Sequence, residues 1–200
     1  MNNINAAVIG IHGIGRLHAK TMVETGKINL KAICDVNPKM KKVVDEEFPG
    51  TNFYESIDEM LTSEKLDLAI VVTPHNLHAP IAIKVLNAGV NVVLEKPMTT
   101  TYEDAIQVID AAKSTGKFVT VFHNRRLDAW YLAAKSAIDD GLLGDLVEIN
   151  IGINQYCGPN SWRGYKESCG GLFDVYLWRR RLPVSVVRSG IPQFTRRKGH

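Results

Sequence analysis

Residues 6–15 read Ala-Ala-Val-Ile-Gly-Ile-His-Gly-Ile-Gly, an apolar run that leads into three closely spaced glycines. Its first four residues form a short apolar run, which is typical of a strand buried in a parallel sheet. The glycines that follow predict a tight turn into a helix, where the backbone can approach a phosphate closely and offer it unpaired N–H groups. Gly10, Gly13 and Gly15 are therefore candidate phosphate-binding residues, together with His12 and Ile14 between them.

An acidic residue stands at the expected distance from this glycine turn. Asp35 ends the second predicted strand, 20 residues after Gly15, where a dinucleotide-binding fold places a carboxylate on the adenosine ribose 2′-hydroxyl. That carboxylate would repel a 2′-phosphate, and no arginine follows it, since the next residue is Val36. The sequence therefore predicts NAD as the cofactor, with NADP less favoured. A glycine-rich turn that binds another ligand is the alternative.

One position departs from the usual glycine pattern. His12 stands where the pattern has its middle glycine, the residue that lets the backbone approach the pyrophosphate. We expect Gly13 to take over part of that role, so that cofactor binding is weakened or rearranged more than lost.

Strand and helix patterns alternate over residues 6–122. The predicted strands are 6–11, 30–34, 66–72, 90–94 and 118–122, and the predicted helices are 16–24, 38–48, 57–61, 80–88 and 103–113. Ser56 and Thr101 are the predicted N-caps of the third and fifth of these helices. The alternation predicts the α/β class, with a Rossmann-type parallel sheet that carries helices on both faces and forms a dinucleotide-binding domain over residues 1–124.

The pattern changes after Arg126. A helix is predicted over 130–139. The alternating strand predicted over 146–154 is typical of an antiparallel or mixed sheet with one solvated face. We expect residues 125–174 to be the beginning of an α+β substrate domain, which is incomplete in this chain. Residues 175–200 form a basic tail with seven of the 24 basic residues and none of the 21 acidic ones. A shifted reading frame or a truncated gene explains this tail better than a designed basic arm.

The composition excludes several classes of protein. The chain is 45% hydrophobic and 22% charged, as soluble globular domains are. Its apolar runs fall well short of the roughly 20 residues of a membrane helix, and its N-terminus lacks the features of a signal peptide. Cys34, Cys157 and Cys169 are irregularly spaced, which argues against disulfides and a zinc site. We expect a cytoplasmic protein that binds neither a membrane nor a nucleic acid.

Two further motifs follow predicted strands, Thr-Pro-His-Asn-Leu-His at 73–78 and Glu-Lys-Pro at 95–97. Ligands of open α/β sheets bind outside the carboxyl ends of the strands, so Lys96 is expected to face the cofactor crevice. A lysine there can pass a proton to or from a substrate, although a solvated lysine at a strand end is equally compatible with the pattern. His75 and His78 lack an acidic or cysteine partner in their loop, so no metal site is predicted.

Taken in this order, the motifs resemble the glucose–fructose oxidoreductase / inositol dehydrogenase / MocA (Gfo/Idh/MocA) family of NAD(P)-dependent oxidoreductases. The resemblance spans about residues 4–174 and rests on 10–18, Asp35, 73–78, 95–97, 123–126, Trp162-Arg163 and 170–174. It implies hydride transfer between a nicotinamide and a hydroxyl carbon of a sugar or cyclitol. It also implies that Lys96 is catalytic and touches the substrate hydroxyl, that Asp174 is the acid of the substrate domain, and that Pro97 follows a cis peptide bond.

The glycine pattern and the resemblance together define the expected cofactor site, and the resemblance implies that Thr73, Pro74, Asn76 and His78 line its nicotinamide side. Its residues are Gly10, His12, Gly13, Ile14, Gly15, Asp35, Thr73, Pro74, Asn76, His78, Glu95, Lys96, Pro97 and Asn124.

The chain departs from the family pattern at one catalytic position. The family has Asp-x-Gly-x-His, whereas residues 174–178 read Asp-Val-Tyr-Leu-Trp, without the glycine and the histidine. Loss of an acid–base partner typically costs orders of magnitude in rate, so we expect NAD binding with impaired turnover. A non-catalytic NAD-binding regulatory module is the alternative. The family's oligomer contact commonly lies in the C-terminal sheet, so a homo-oligomer is implied only where that sheet is present.

Overall fold

Six parallel strands form one sheet, and their order positions the site. In the computed structural model, which describes residues 4–149 and 166–169, this order is β3-β2-β1-β4-β5-β6. The strands are β1 Ile4–Ile9, β2 Ile28–Cys34, β3 Asn52–Tyr54, β4 Leu68–Val71, β5 Asn91–Leu94 and β6 Val119–Val121. The helices are α1 Ile14–Thr25, α2 Met40–Glu47, α3 Ile57–Ser63, α4 His78–Asn87, α5 Tyr102–Thr115, α6 Ala129–Asp139 and α7 Lys166–Cys169. Two 3-10 turns span His75–Leu77 and Asn124–Leu127.

The central strand β1 pairs with β2 on one side and with β4 on the other, parallel in both cases. The direction in which the chain adds strands reverses between these two neighbours. In open α/β sheets such a reversal opens a crevice at the carboxyl ends of the strands, where ligands bind. The predicted Rossmann-type parallel sheet is confirmed.

Both faces of the sheet are covered by apolar packing. Ala6 and Val8 of β1 belong to one core cluster, which Ala19 and Met22 of α1 and Val44 of α2 join. The alternate β1 residues Ala7 and Ile9 belong to a second cluster, with side chains from α4 and α5. These four side chains, at positions 6–9, are at most 2% exposed. Such burial on both sides explains why residues 6–9 of β1 form a continuous apolar run without alternation, and it confirms helices on both faces.

The helix and strand positions differ from the predicted ones in two instructive places. The edge strand β3 was not predicted, because three residues that begin with a polar asparagine give no apolar run. Helix α4 begins at His78, two residues before its predicted start at Pro80. A proline is tolerated in the first turn of a helix, where its missing N–H would have no partner within the helix.

The described residues form two compact units, one of 4–124 with 166–169 and one of 125–149. The second unit contains α6, predicted as 130–139, and no α6 residue is buried among the described residues. Residues 146–149 carry no strand, and the rest of the strand predicted over 146–154 lies outside the described residues. The tail 175–200 lies outside them as well. Among the described helices, none has the length and apolar character that crossing a membrane requires.

Two of the three cysteines lie in the described residues, and both are buried, Cys34 at the end of β2 and Cys169 in α7. Burial, with the neighbouring charge of Asp35, raises the pKa of Cys34 to about 12. A thiol of this pKa stays protonated at neutral pH and is a poor nucleophile. Cys157 lies outside the described residues.

Candidate active site

Three glycines shape the turn between β1 and α1, each for its own reason. Gly10 has a φ of +93°, and a Cβ there would lie 2.5 Å from the Val72 carbonyl oxygen at the end of β4. A Cβ on Gly15 would lie 1.8 Å from the Gly10 carbonyl oxygen. Gly13 has a φ of +52° and open space in front of it. The turn is therefore packed closely against Val72 at Gly10 and against the Gly10 carbonyl at Gly15, and it is open at Gly13.

The backbone angles show why His12 fits in this turn. No residue other than glycine has a positive φ in the part of the chain that the structure describes. His12 therefore has an ordinary backbone conformation, and the left-handed angles fall on Gly10 and Gly13. The His12 side chain is exposed. That Gly13 takes over part of the close approach to the pyrophosphate stays a prediction.

The N-terminus of α1 opens into the same place. Its N-cap is Gly13, no side chain caps it, and its first turn contains no acidic residue. The first N–H groups of a helix have no partner within the helix, and they carry the positive end of the helix dipole. An uncapped start on a glycine turn is suited to bind an anion such as a phosphate.

Asp35 is fixed beside the glycine turn by the backbone. Its Oδ2 accepts the Ile11 N–H at 2.9 Å, and its Oδ1 accepts the Asn37 N–H at 2.9 Å. The residue is 8% exposed, whereas the neighbouring Val36 is 87% exposed. A carboxylate has about four lone-pair sites, so two N–H donors leave it with the capacity to accept a hydroxyl.

The loop after β4 holds a buried hydroxyl and a buried imidazole. Thr73 Oγ1 is inaccessible to solvent and has no hydrogen-bond partner among the described residues. His78 is fully buried, with Nδ1 2.8 Å from the Pro97 carbonyl oxygen and Nε2 3.0 Å from the Thr73 carbonyl oxygen. Burial lowers the pKa of His78, although these two carbonyl oxygens and Glu95 oppose the shift. The His78 ring thus joins the loop after β4 to the loop after β5, while Asn76 beside it is exposed.

The Glu95-Lys96-Pro97 motif lies directly after β5. Glu95 Oε1 lies 2.9 Å from Nε2 of His18 on α1, and Glu95 Oε2 accepts the Lys96 N–H at 3.0 Å. Burial alone would raise the pKa of Glu95, but the hydrogen bonds with His18 and the Lys96 N–H hold it below its ordinary value. The Lys96–Pro97 peptide bond is cis, as the resemblance implies.

The structure thus brings most of the expected residues to one edge of the sheet. The ends of β1, β2, β4 and β5 carry the glycine turn, Asp35, Thr73 with Pro74, and Lys96. Asn124 begins the 3-10 turn after β6, and Asp174 lies outside the described residues. No group of histidine, cysteine, aspartate and glutamate side chains that could hold a metal occurs in residues 4–149 and 166–169.

The sequence patterns predict no role for His18, which lies at this edge of the sheet. His18 is 9% exposed and contacts Glu95, and its ring meets that of Phe122 edge-on at 4.6 Å between centroids. The signal that could have found it is a histidine on the buried side of α1, next to Ala19 and one helical turn before Met22.

Comparison with known proteins places this geometry in a family. The sequence model of the Gfo/Idh/MocA family, described as an oxidoreductase family with an NAD-binding Rossmann fold, matches residues 4–123. The chain is 34% identical over 136 residues to an NADP(+) scyllo-inositol 2-dehydrogenase of Bacillus subtilis, a match that covers 66% of this chain and 38% of that protein.

Two further relatives extend the comparison. An uncharacterised oxidoreductase of Escherichia coli is 30% identical over 197 residues, covering 92% of this chain and 56% of that protein. Because 92% of the chain exceeds 174 residues, this match extends into the basic tail, whose origin in a shifted frame stays a prediction. The structure of the WlbA dehydrogenase of Bordetella pertussis, solved with NADH and UDP-GlcNAcA, superposes with a TM-score of 0.67 at 30% identity. That match covers 72% of this chain and 44% of the dehydrogenase.

This chain therefore spans about half or less of the length of these three relatives. The family model matches more than half of the chain, over the whole of the parallel sheet with its glycine turn. The chain belongs to the Gfo/Idh/MocA oxidoreductase family, with its NAD-binding Rossmann fold.

Proposed function

We propose that this chain is an NAD-dependent oxidoreductase that moves a hydride between the nicotinamide and a hydroxyl carbon of a sugar or cyclitol. The observation that carries the proposal is the position of Lys96. It follows β5 at the sheet edge where the glycine turn and Asp35 also lie, and its backbone is tied to α1 through Glu95 and His18. A lysine at that edge can exchange a proton with a substrate held in the crevice.

The residues of the crevice fit a dinucleotide. The uncapped N-terminus of α1 suits the pyrophosphate, and the fixed carboxylate of Asp35 suits the ribose hydroxyls. Thr73 Oγ1, a buried hydroxyl without a partner among the described residues, supplies a further polar contact. The bound nicotinamide supplies the hydride acceptor or donor.

The chain's own groups would handle the proton. When a hydroxyl carbon is oxidised, its oxygen must lose a proton, and we assign Lys96 Nζ to accept it and to return it in the reverse direction. We assign Asp174 as the acid of the substrate domain by family resemblance. The non-catalytic regulatory module is less favoured, because the Glu-Lys-Pro motif is retained in full and its backbone is held by buried partners.

The substrate class follows from what the relatives are named for. The Bacillus relative is a scyllo-inositol dehydrogenase, and the Bordetella structure was solved with a nucleotide sugar. A sugar or cyclitol substrate is therefore the proposal for this chain, with a cytoplasmic location and, where the C-terminal sheet exists, a homo-oligomer. NAD is favoured over NADP because the Asp35 carboxylate would repel a 2′-phosphate.

The test measures binding and turnover separately on the full chain. NADH and NADPH are titrated by fluorescence, and NAD⁺ reduction is then followed with a panel of inositols and hexoses. We expect NADH to bind more tightly than NADPH, and we expect Lys96→Met to lower turnover far more than it weakens NADH binding. Asp35→Asn is the matched variant for cofactor choice, and it should reduce the difference between the affinities for NADH and NADPH. Turnover that survives Lys96→Met would contradict the proposed role of the lysine.

A further inference from the structure

The side chain of Glu95 joins two parts of the crevice that lie 77 residues apart in the sequence. One carboxylate oxygen contacts the His18 ring on α1, and the other accepts the backbone N–H of Lys96. The two side chains are only 10% and 15% exposed, so water competes little for this contact. The backbone of Lys96 is therefore anchored, through Glu95, to the helix that begins at the glycine turn.

The other side of Lys96 is anchored by a second buried histidine. His78 contacts the carbonyl oxygen of Pro97 at 2.8 Å and that of Thr73 at 3.0 Å. A neutral imidazole donates one hydrogen bond, and a protonated one donates two. In either state the ring fills the space between the two loops, so that the segment after Lys96 is held against the end of β4.

We propose that His18 and His78 are positioning residues that fix the Lys96 backbone from two sides, His18 through Glu95 and His78 through Pro97. The proposal rests on the proposed function of Lys96, and it gives neither histidine a contact with the reacting atoms. The side chain of a lysine is long and flexible, so the position of its amine depends on a fixed backbone. A misplacement of about 1 Å at a reacting group can cost about 100-fold in rate.

The chemistry of burial explains how the loss of His18 would reach Lys96. A largely buried carboxylate that loses a hydrogen-bond donor is left with an unmet demand for one. Glu95 would then turn toward solvent or take up a proton, and in both cases its bond to the Lys96 N–H would weaken. The same argument applies at Pro97, where loss of the His78 ring leaves a cavity and two carbonyl oxygens without their partner.

The experiment follows the Lys96 amide itself, by NMR hydrogen exchange on the full chain without cofactor. His18→Phe keeps a ring against Phe122 and removes the donor, and we expect it to speed Lys96 exchange by about tenfold or more. His18→Gln retains a donor and should restore most of the protection. His78→Phe should also speed exchange at Lys96. Glu95→Gln is an independent test should a Phe variant not fold. It removes the charged acceptor of the Lys96 N–H while keeping the shape of the side chain, and it too should speed Lys96 exchange.

The matched control is Tyr54→Phe, which removes a side-chain hydrogen bond of similar length, 2.8 Å to Glu64, from the edge strand β3. It should leave Lys96 exchange unchanged. Where the chain turns over a substrate, His18→Phe should lower kcat by about 100-fold while KM and the Kd for NADH change little. Unchanged Lys96 exchange in folded His18→Phe and His78→Phe overturns the positioning proposal, whatever the turnover. Full activity of Lys96→Met overturns the proposed function and leaves the exchange result standing.

Discussion

Helices α1 and α5 begin with the same shortage of hydrogen-bond partners and meet it in opposite ways. At α5, Thr101 Oγ1 accepts the Asp104 N–H at 3.1 Å, and the first turn carries two acidic residues. At α1, the N-cap is a glycine, and its first turn carries neither a capping side chain nor an acid. Helix α5 has 14 residues and helix α1 has 12, so length does not explain the difference in their N-termini.

This contrast indicates the function of the N-terminus of α1. A cap and acidic residues stabilise a helix by occupying its N–H groups and neutralising its dipole. The α5 terminus is completed in this way by its own side chains. The α1 terminus is left for a partner from outside, and it opens on a turn where glycines permit close approach. The following variants test this contrast.

The largest effect is expected from Gly15→Ala. A Cβ at this position would lie 1.8 Å from the Gly10 carbonyl oxygen, so the glycine turn must move. We expect a loss of about 3 kcal/mol in the free energy of unfolding and a weakening of NADH binding by about 100-fold. Denaturant unfolding and NADH fluorescence titration measure the two effects.

The control for this variant is Gly116→Ala, at the end of α5. Gly116 has a φ of +65°, and a Cβ there meets nothing within 4 Å. Only backbone strain then remains, about 1–2 kcal/mol, and NADH binding should stay unchanged. Equal losses of NADH binding in the two variants would show that general destabilisation, and not the turn, causes the effect.

A smaller effect, but one of opposite signs, is expected from Ile14→Glu in the first turn of α1. Ile14 is 46% exposed, so the substitution creates no buried charge. The new carboxylate should stabilise folding by about 0.3–1 kcal/mol while weakening NADH binding by about tenfold through repulsion of the pyrophosphate. Ile14→Gln is the uncharged match. NADH binding as tight in the Glu variant as in the Gln variant would mean that the α1 terminus does not receive the anion.

Local patterns in the sequence predict much of this site. The apolar run of β1, the glycine turn and Asp35 are neighbours along the chain or separated by one helix, and the fold fixes their spacing. The two N-caps predicted at Ser56 and Thr101 are confirmed, because a cap depends only on residues three positions apart. The parallel sheet follows from the same alternation of short elements.

Contacts between distant residues could not be predicted in this way. The His18–Glu95 contact joins positions 77 residues apart, and nothing in either local pattern names the other residue. The contacts by which His78 joins two loops could not be predicted either, because its two partners are backbone carbonyl oxygens, which every residue has. The absence of strand over 146–149 has the same cause, because an alternating pattern specifies one strand but not the neighbour with which it pairs.

At the capped helix we expect a change in stability alone. Thr101→Ala removes the acceptor of the Asp104 N–H and should cost about 1 kcal/mol in the free energy of unfolding. Thr101→Ser is the matched control, since it keeps a hydroxyl at the N-cap and should cost far less. NADH binding should be the same in both. A substantial loss of NADH affinity in Thr101→Ala would contradict the proposed difference between α1 and α5, because it would show that the N-terminus of α5 also affects cofactor binding.

The smallest effect is expected from Glu103→Gln, which removes one acidic charge from the first turn of α5. The helix dipole favours a negative charge there, so the free energy of unfolding should fall by about 0.3–1 kcal/mol at low ionic strength. Added salt screens such exposed charges, and the difference from the unsubstituted chain should therefore shrink at about 1 M salt. Glu103→Gln removes an acidic residue from α5, which should lower the free energy of unfolding and leave NADH binding unchanged. Ile14→Glu adds an acidic residue to α1, which should raise the free energy of unfolding and weaken NADH binding. Only a terminus reserved for an anion makes the second change act on both quantities.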